Sequence, residues 1–287
     1  MKTAKALWDL MRLDHGFMLF IAVLIGALIG QQGLPPADKL IFAFFTPMFL
    51  EASTFSLNDY FDFEVDRRNE RLDRPLVRGD LEPRTALYVF FILFPLGILA
   101  AWFVNWVCFL IATITGFLSI VYDVWMKKVK LLGNFYIAYI MAIPFIFGGT
   151  AVSTNIPPIV ILLSIIAFLT GVGREIMKDI MDFEGDKARR VKSFPKYLGI
   201  RKSGLLAAFF YVIAVAISPI PFLFHIGGGY YLNYYYLGIV LITDVILLYT
   251  SAKLSFEREV DFKFYRKLTL IAIFIGLIAF LVGAFVG

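Results

Sequence analysis

DYFDFEVD (residues 59–66) and DIMDFEGD (residues 179–186) are two copies of one eight-residue pattern in a chain that is otherwise mostly apolar. Each copy carries Asp at i, i+3 and i+7, which on a helix lines carboxylates along one face. Hard divalent cations require such oxygen ligands, and two facing stripes can hold two cations with a polyphosphate between them. Taken singly, an Asp near a membrane interface is commonly a solvated loop end. A matched pair of stripes, each with the same Phe-Glu after its second Asp, points instead to a site.

The solvent of that site follows from composition. Of 287 residues, 60% are hydrophobic and 17% charged, and mean hydropathy is +0.80; a soluble domain carries nearer a quarter charged residues. The chain reads as an integral membrane protein. Cys108 is the sole cysteine, which excludes an intrachain disulfide and a thiolate metal cluster. No cleavable signal peptide is expected, because residues 1–14 are mixed and charged and the apolar run after them lacks a small-residue cleavage site.

Nine apolar runs are long enough to cross a bilayer, at about 20 residues per span: 10–32, 39–62, 84–104, 106–126, 132–153, 157–181, 204–224, 233–254 and 267–286. Pro35-Pro36, Pro157-Pro158 and Gly227 to Gly229 fall where helices should stop, while only Val104-Asn105-Trp106 parts the third span from the fourth. With the N-terminus cytoplasmic, 26 of the 27 Lys and Arg lie in cytoplasmic segments or at the cytoplasmic end of the sixth span; Lys39 alone falls opposite. This asymmetry fixes nine spans and an outside C-terminus together. The expected fold is therefore all-α, a polytopic bundle forming a single domain over residues 1–287. The two aspartate stripes lie at the cytoplasmic ends of spans two and six, 120 residues or four helices apart. An even number of crossings makes the internal repeat parallel, helices 1–4 against 5–8.

Carboxylates, two expected Mg²⁺ ions and a ring of Arg and Lys at the mouth of an apolar bundle suit a substrate with a polyphosphate head and a hydrocarbon tail. If the substrate is an allylic isoprenyl diphosphate, neutralising its head promotes departure of diphosphate and leaves an allylic cation, which aromatic faces stabilise; 31 Phe and 14 Tyr supply such faces. A transporter would set polar groups near the bilayer midplane and commonly shows an inverted repeat. A CDP-alcohol phosphotransferase requires a different, single aspartate signature and fewer spans, and nine spans exclude a soluble prenyl synthase. Nothing in the chain implies nucleic-acid binding or a protein partner; the partners are the substrates and the bilayer.

The run NDYFDFEVDRRNERLDRPLVRGD (58–80), with GREIMKDIMDFEGD (173–186) and KSFPKYLG (192–199), resembles the UbiA superfamily of intramembrane prenyltransferases over nearly the whole chain. The resemblance implies Mg²⁺ ligands at Asn58, Asp62 and Asp66 and at Asp179, Asp182 and Asp186, with Asn58, Asp62, Asp182 and Asp186 as the catalytic set. It also implies that Arg12, Arg67, Arg74, Tyr122 and Lys127 face the diphosphate, although Arg12-Leu13 stands where many relatives have Arg-Pro. Arg174 and Lys178, one turn apart and ahead of Asp182, are most similar to the archaeal members that prenylate geranylgeranylglyceryl phosphate in ether-lipid synthesis. Geranylgeranyl diphosphate is then the expected donor. The alternative acceptor is an aromatic ring such as 4-hydroxybenzoate or a quinone precursor. No dedicated general base is evident in the sequence.

Overall fold

The computed structural model describes residues 2–183, 191–257 and 259–285. Among them, nine helices are long and apolar enough to cross a membrane. A short amphipathic helix α1 (Lys2–Met11) precedes α2 (Leu13–Gln31) and α3 (Ala37–Arg68). The short α4 (Pro75–Arg78) leads to α5 (Pro83–Val104) and α6 (Trp106–Val124). The second half comprises α7 (Lys130–Val152), α8 (Pro158–Met181), α9 (Phe194–Ile217), a single turn α10 (Ile220–Leu223) and α11 (Tyr234–Phe256). A last helix, α12 (Phe262–Phe285), packs on α11, α8 and α2.

Local chemistry sets the boundaries. Asn105 breaks the apolar run between α5 and α6 by adopting an extended conformation (φ −174°, ψ 173°), and its side chain caps α6 by accepting from the Cys108 amide at 2.8 Å. Across the same turn, the Lys39 ammonium donates to the Val104 carbonyl, satisfying one of the acceptors that a helix C-terminus leaves open. Pro36, Pro75, Pro83 and Pro158 sit at or beside helix starts, where a missing amide costs nothing.

Three boundaries differ from the sequence expectation. The second span does not stop at 62 but runs on to Arg68, so that the whole first motif lies on one continuous helix. The second motif is not helical throughout: α8 ends at Met181, and Asp182 is its C-cap. Residues 194–203 are already helical ahead of the expected seventh span. Their helix is interrupted at Gly199, whose φ of 79° a residue with a side chain rarely adopts.

The two halves meet through glycine. A Cβ on Gly26 of α2 would lie 2.0 Å from the Phe145 carbonyl oxygen of α7, and one on Gly148 would lie 1.9 Å from the Val23 oxygen. The first helices of the two repeats thus touch backbone to backbone, as small residues permit in membrane bundles. At the end of the bundle that carries the motifs, Leu10 and Ala6 of α1 pack with Leu76, Leu81 and Ala86, which seats α1 and the loop after the first motif on the bundle.

Gly148→Val is expected to lower the midpoint of thermal unfolding in detergent, because the obstacle is backbone that cannot turn aside. The cost should reach or exceed the ~1–3 kcal/mol of ordinary overpacking. Gly238→Ala, with open space around it, should leave the midpoint within a degree or two when both are followed by tryptophan fluorescence.

Candidate active site

The first motif occupies one sector of α3. At about 100° per residue, Asn58, Asp62, Asp66 and Asp59 fall in that order across roughly 100° of its circumference. One edge is held by cations from the N-terminal side. Asp59 is buried and pairs with Arg12, with Arg74 3.7 Å away, and Arg74 also lies 3.6 Å from Asp66. Arg12 is the break between α1 and α2 and sits in the left-handed region (φ 46°). A residue with a side chain persists there only where its surroundings hold it, and here Asp59 holds the guanidinium while Phe55 lies under it at 4.2 Å. Burial lowers the affinity of Arg12 for its proton, and the Asp59 charge opposes that. Outside this pair, Arg71 bonds Asp73 at 2.8 and 2.7 Å and keeps that carboxyl down at about 2. Arg78 reaches Asp9 of α1 at 3.0 Å.

The other edge faces the connection between α6 and α7, a 3₁₀ turn at Met126–Lys128. Lys127 lies 2.9 Å from Asp62 and 3.0 Å from Asp123, and the Asn58 amide donates to Asp123 at 2.8 Å. Three residues on, Lys130 does the same for the second motif, 3.3 Å from Asp179 and 3.4 Å from Asp182. Asn134 donates to Asp179 at 2.7 Å. One short segment therefore places an ammonium against each motif. The segment is itself tied to the chain beyond the second motif, since the Lys192 amide donates to the Lys128 carbonyl at 3.1 Å. Between the two groups, the Tyr122 ring lies 5.2 Å from that of Tyr136, tilted by 31°.

Structure and sequence divide as follows. Asn58, Asp62, Asp66, Asp179, Asp182, Arg12, Arg74, Tyr122 and Lys127 gather at one end of the bundle. Arg67 does not join them: it is exposed and lies about half a turn round α3 from Asn58. Arg174 and Lys178 are bound to a residue that the sequence reading passed over, buried Glu175, at 3.2 and 3.3 Å. Asp186 lies outside the described residues. Asp123, Lys130 and Asn134 are also additions; the i, i+4 spacing of Asp123 and Lys127 was the available signal for the first of them.

Among the described residues, no three acidic, His or Cys side chains converge enough to chelate an ion unaided. Magnesium does not require that, since it retains waters and is usually bound by one or two carboxylates together with substrate phosphates. The donor set fits: hard oxygens of Asn58 and Asp62 on one side and of Asp179 and Asp182 on the other, with an ammonium already accommodated against each carboxylate pair.

The chain is similar over nearly its whole length to proteins already characterised. The digeranylgeranylglyceryl phosphate synthase of Archaeoglobus fulgidus is 46% identical over 283 residues, covering 98% of this chain and 96% of its own length. That of Pyrococcus furiosus is 35% identical over 280 residues, covering 98% and 97%. A solved structure concerned with digeranylgeranylglyceryl phosphate synthase in membranes superposes with a TM-score of 0.82 at 35% identity and covers 99% of both chains. A UbiA homologue from Archaeoglobus fulgidus bound to DMAPP and Mg²⁺ shares the fold at a TM-score of 0.64 and 16% identity, over 96% of this chain and 98% of that one. The description of the UbiA prenyltransferase family matches residues 19–271, and the chain belongs to that family.

Proposed function

We propose that the protein transfers a geranylgeranyl group from geranylgeranyl diphosphate to geranylgeranylglyceryl phosphate, making the second ether of an archaeal lipid, with one catalytic domain over the whole chain. The carrying observation is the pair of carboxylate groups held around one lysine-bearing turn, Lys127 against Asp62 and Lys130 against Asp182. The full-length relatives that share this architecture bear the name of that synthase.

Asn58, Asp62 and Asp66 on one side and Asp179, Asp182 and Asp186 on the other would hold two Mg²⁺ ions. Bound there, the metal supplies charge neutralisation of the diphosphate. The protein's own part is to orient and balance. Lys127 and Lys130, held here against the carboxylates, would turn to the oxygens of a bound diphosphate, where charge-assisted bonds are strong. Arg12 and Arg74 pair with Asp59 and Asp66 and add positive potential at the leaving group. Tyr122 presents its ring next to the carbon from which diphosphate departs, suited to a developing allylic cation. Arg174 and Lys178 bind the acceptor's phosphate, and Glu175 holds the pair in place while the site is empty of substrate. Aromatic acceptors such as 4-hydroxybenzoate have no phosphate to meet them.

The orientation follows from charge: N-terminus and site cytoplasmic, C-terminus outside. A cysteine placed at Arg71 should be labelled from the cytoplasmic side alone, and one at Asn155 from the outside alone. The native Cys108 is buried and gives a silent background. Labelling of Arg71→Cys from outside would reverse the orientation.

Purified protein given both substrates and Mg²⁺ should form the diether phosphate, detected by mass, and EDTA should stop it. Asp62→Ala and Asp182→Ala should each cut kcat/KM by at least about a hundredfold, roughly 2.7 kcal/mol of transition-state stabilisation, with the fold retained. Full turnover in EDTA overturns the metal reading. Lys178→Met should raise the acceptor's KM about tenfold or more while leaving the donor's nearly unchanged, as expected for one lost charge-assisted contact. Equal changes in both constants would remove Lys178 from the acceptor.

A further inference from the structure

Seven residues before Asn58, and so about 10 Å deeper along α3, stands Glu51. Residues 51, 55, 58 and 62 recur at helical spacing, so Glu51 lies on the face that carries Phe55, Asn58 and Asp62. Its half-buried side chain lines a partly open cavity of about 70 Å³ between α2, α3, α6 and α7. Pro47 of α3 and Pro144 of α7 line the same space. Each interrupts the hydrogen-bond ladder of its helix, so the cavity sits where the two central helices are weakest. Its other walls are mainly aliphatic and aromatic; besides Glu51, its polar lining is Thr46 and Thr115. Thr46 donates to its own helix at the Phe42 carbonyl, and Thr115 is hydrogen-bonded to Tyr139 at 2.8 Å. Arg12 acts on Glu51 from beyond ion-pair distance, and the field of Glu51 reaches Tyr136. Among the described residues, no hydrogen bond or ion pair engages the carboxyl.

An ionisable group inside a membrane bundle is costly and is retained where it meets a functional partner. The diphosphate of the donor is held at the level of Asn58 and Asp62, and its tail must run deeper. The reacting carbon, joined directly to the diphosphate, therefore lies between the metal-facing residues and Glu51. The acceptor's chemistry supplies the missing partner. Of the three oxygens of glycerol in geranylgeranylglyceryl phosphate, one is an ether and one a phosphate ester, which leaves one free hydroxyl.

We infer that Glu51 is the general base that receives the proton of this hydroxyl. The bond from the donor's first carbon to diphosphate breaks, and its electron pair departs on diphosphate. The acceptor oxygen donates a pair to that carbon and forms the ether. The hydroxyl proton passes to the Glu51 carboxylate and is returned to water through the cytoplasmic mouth before the next turnover. A carboxylate at this depth also favours an alcohol over an anionic aromatic acid, since a carboxylate on the ring would be brought against Glu51.

The assignment rests on the proposed acceptor, and the test separates the two. Wild type, Glu51→Gln and Glu51→Asp are assayed in nanodiscs with geranylgeranyl diphosphate, geranylgeranylglyceryl phosphate and Mg²⁺, following ether product by mass and donor affinity by calorimetry. Glu51→Gln should bind donor within about threefold of wild type and unfold at the same temperature. Its kcat should fall at least a hundredfold, the lower end of what a general base contributes, and Glu51→Asp should recover part of it. Turnover of Glu51→Gln within threefold of wild type overturns the inference and leaves the acceptor intact. Loss of donor affinity in step with turnover also overturns it, by making Glu51 a structural support. If Glu51→Gln fails to fold, Glu51→Asp decides: a lower kcat at unchanged donor affinity supports the base, and an unchanged kcat overturns it. A wild-type protein that ignores geranylgeranylglyceryl phosphate fails the acceptor reading itself, and the inference falls with it.

Discussion

Carboxylates crowded at the mouth of an apolar bundle repel one another and lose hydration, so each must be given a cation. Much of the architecture at this end of the bundle is arranged around that requirement. Arg12 is bent into a left-handed conformation to reach Asp59, and the loop after the first motif returns to put Arg74 between Asp59 and Asp66. The turn between α6 and α7 projects Lys127 and Lys130 to opposite sides. Paired in this way the acidic groups are matched without being consumed, because cations on flexible stems can be exchanged for metal and phosphate.

The membrane interior imposes a different constraint, since helices in lipid gain nothing from hydrophobic association alone and must fit closely. Gly26 and Gly148 supply that fit at the centre, where the first helices of the two repeats touch. The prolines of α3 and α7 leave a small void just below the polar face. A rigid seam and a yielding void lie side by side, so the bundle can be stable and still admit a tail.

The number of spans and the position of the motifs were legible in the sequence because lipid permits few backbone solutions: an apolar run of about 20 residues has little choice but to be a helix. The partners of the motifs were less legible. Glu175 lies between two cations in sequence and reads as a solvated face, and only its burial among α8's neighbours reveals that it binds both Arg174 and Lys178. Lys130 and Asn134 belong to a helix far along the chain, and no periodicity links them to Asp179. Arg67 shows the converse: it adjoins Asp66 in sequence, yet one helical step of 100° carries it away from the site. Glu51 stands alone in the sequence, without a repeat or a charged neighbour to mark it.

The two motifs are copies, yet they are not equal. Residue 178 corresponds to residue 58, so the second copy carries an ammonium where the first carries an amide. Identical halves related by an axis along the membrane normal would present the same face twice, and an elongated ligand could lie across them in either sense with equal ease. Replacing one neutral group by a cation removes that degeneracy. The cleft acquires a direction, and a molecule with one charged end and one oily end has a single favourable way to lie in it.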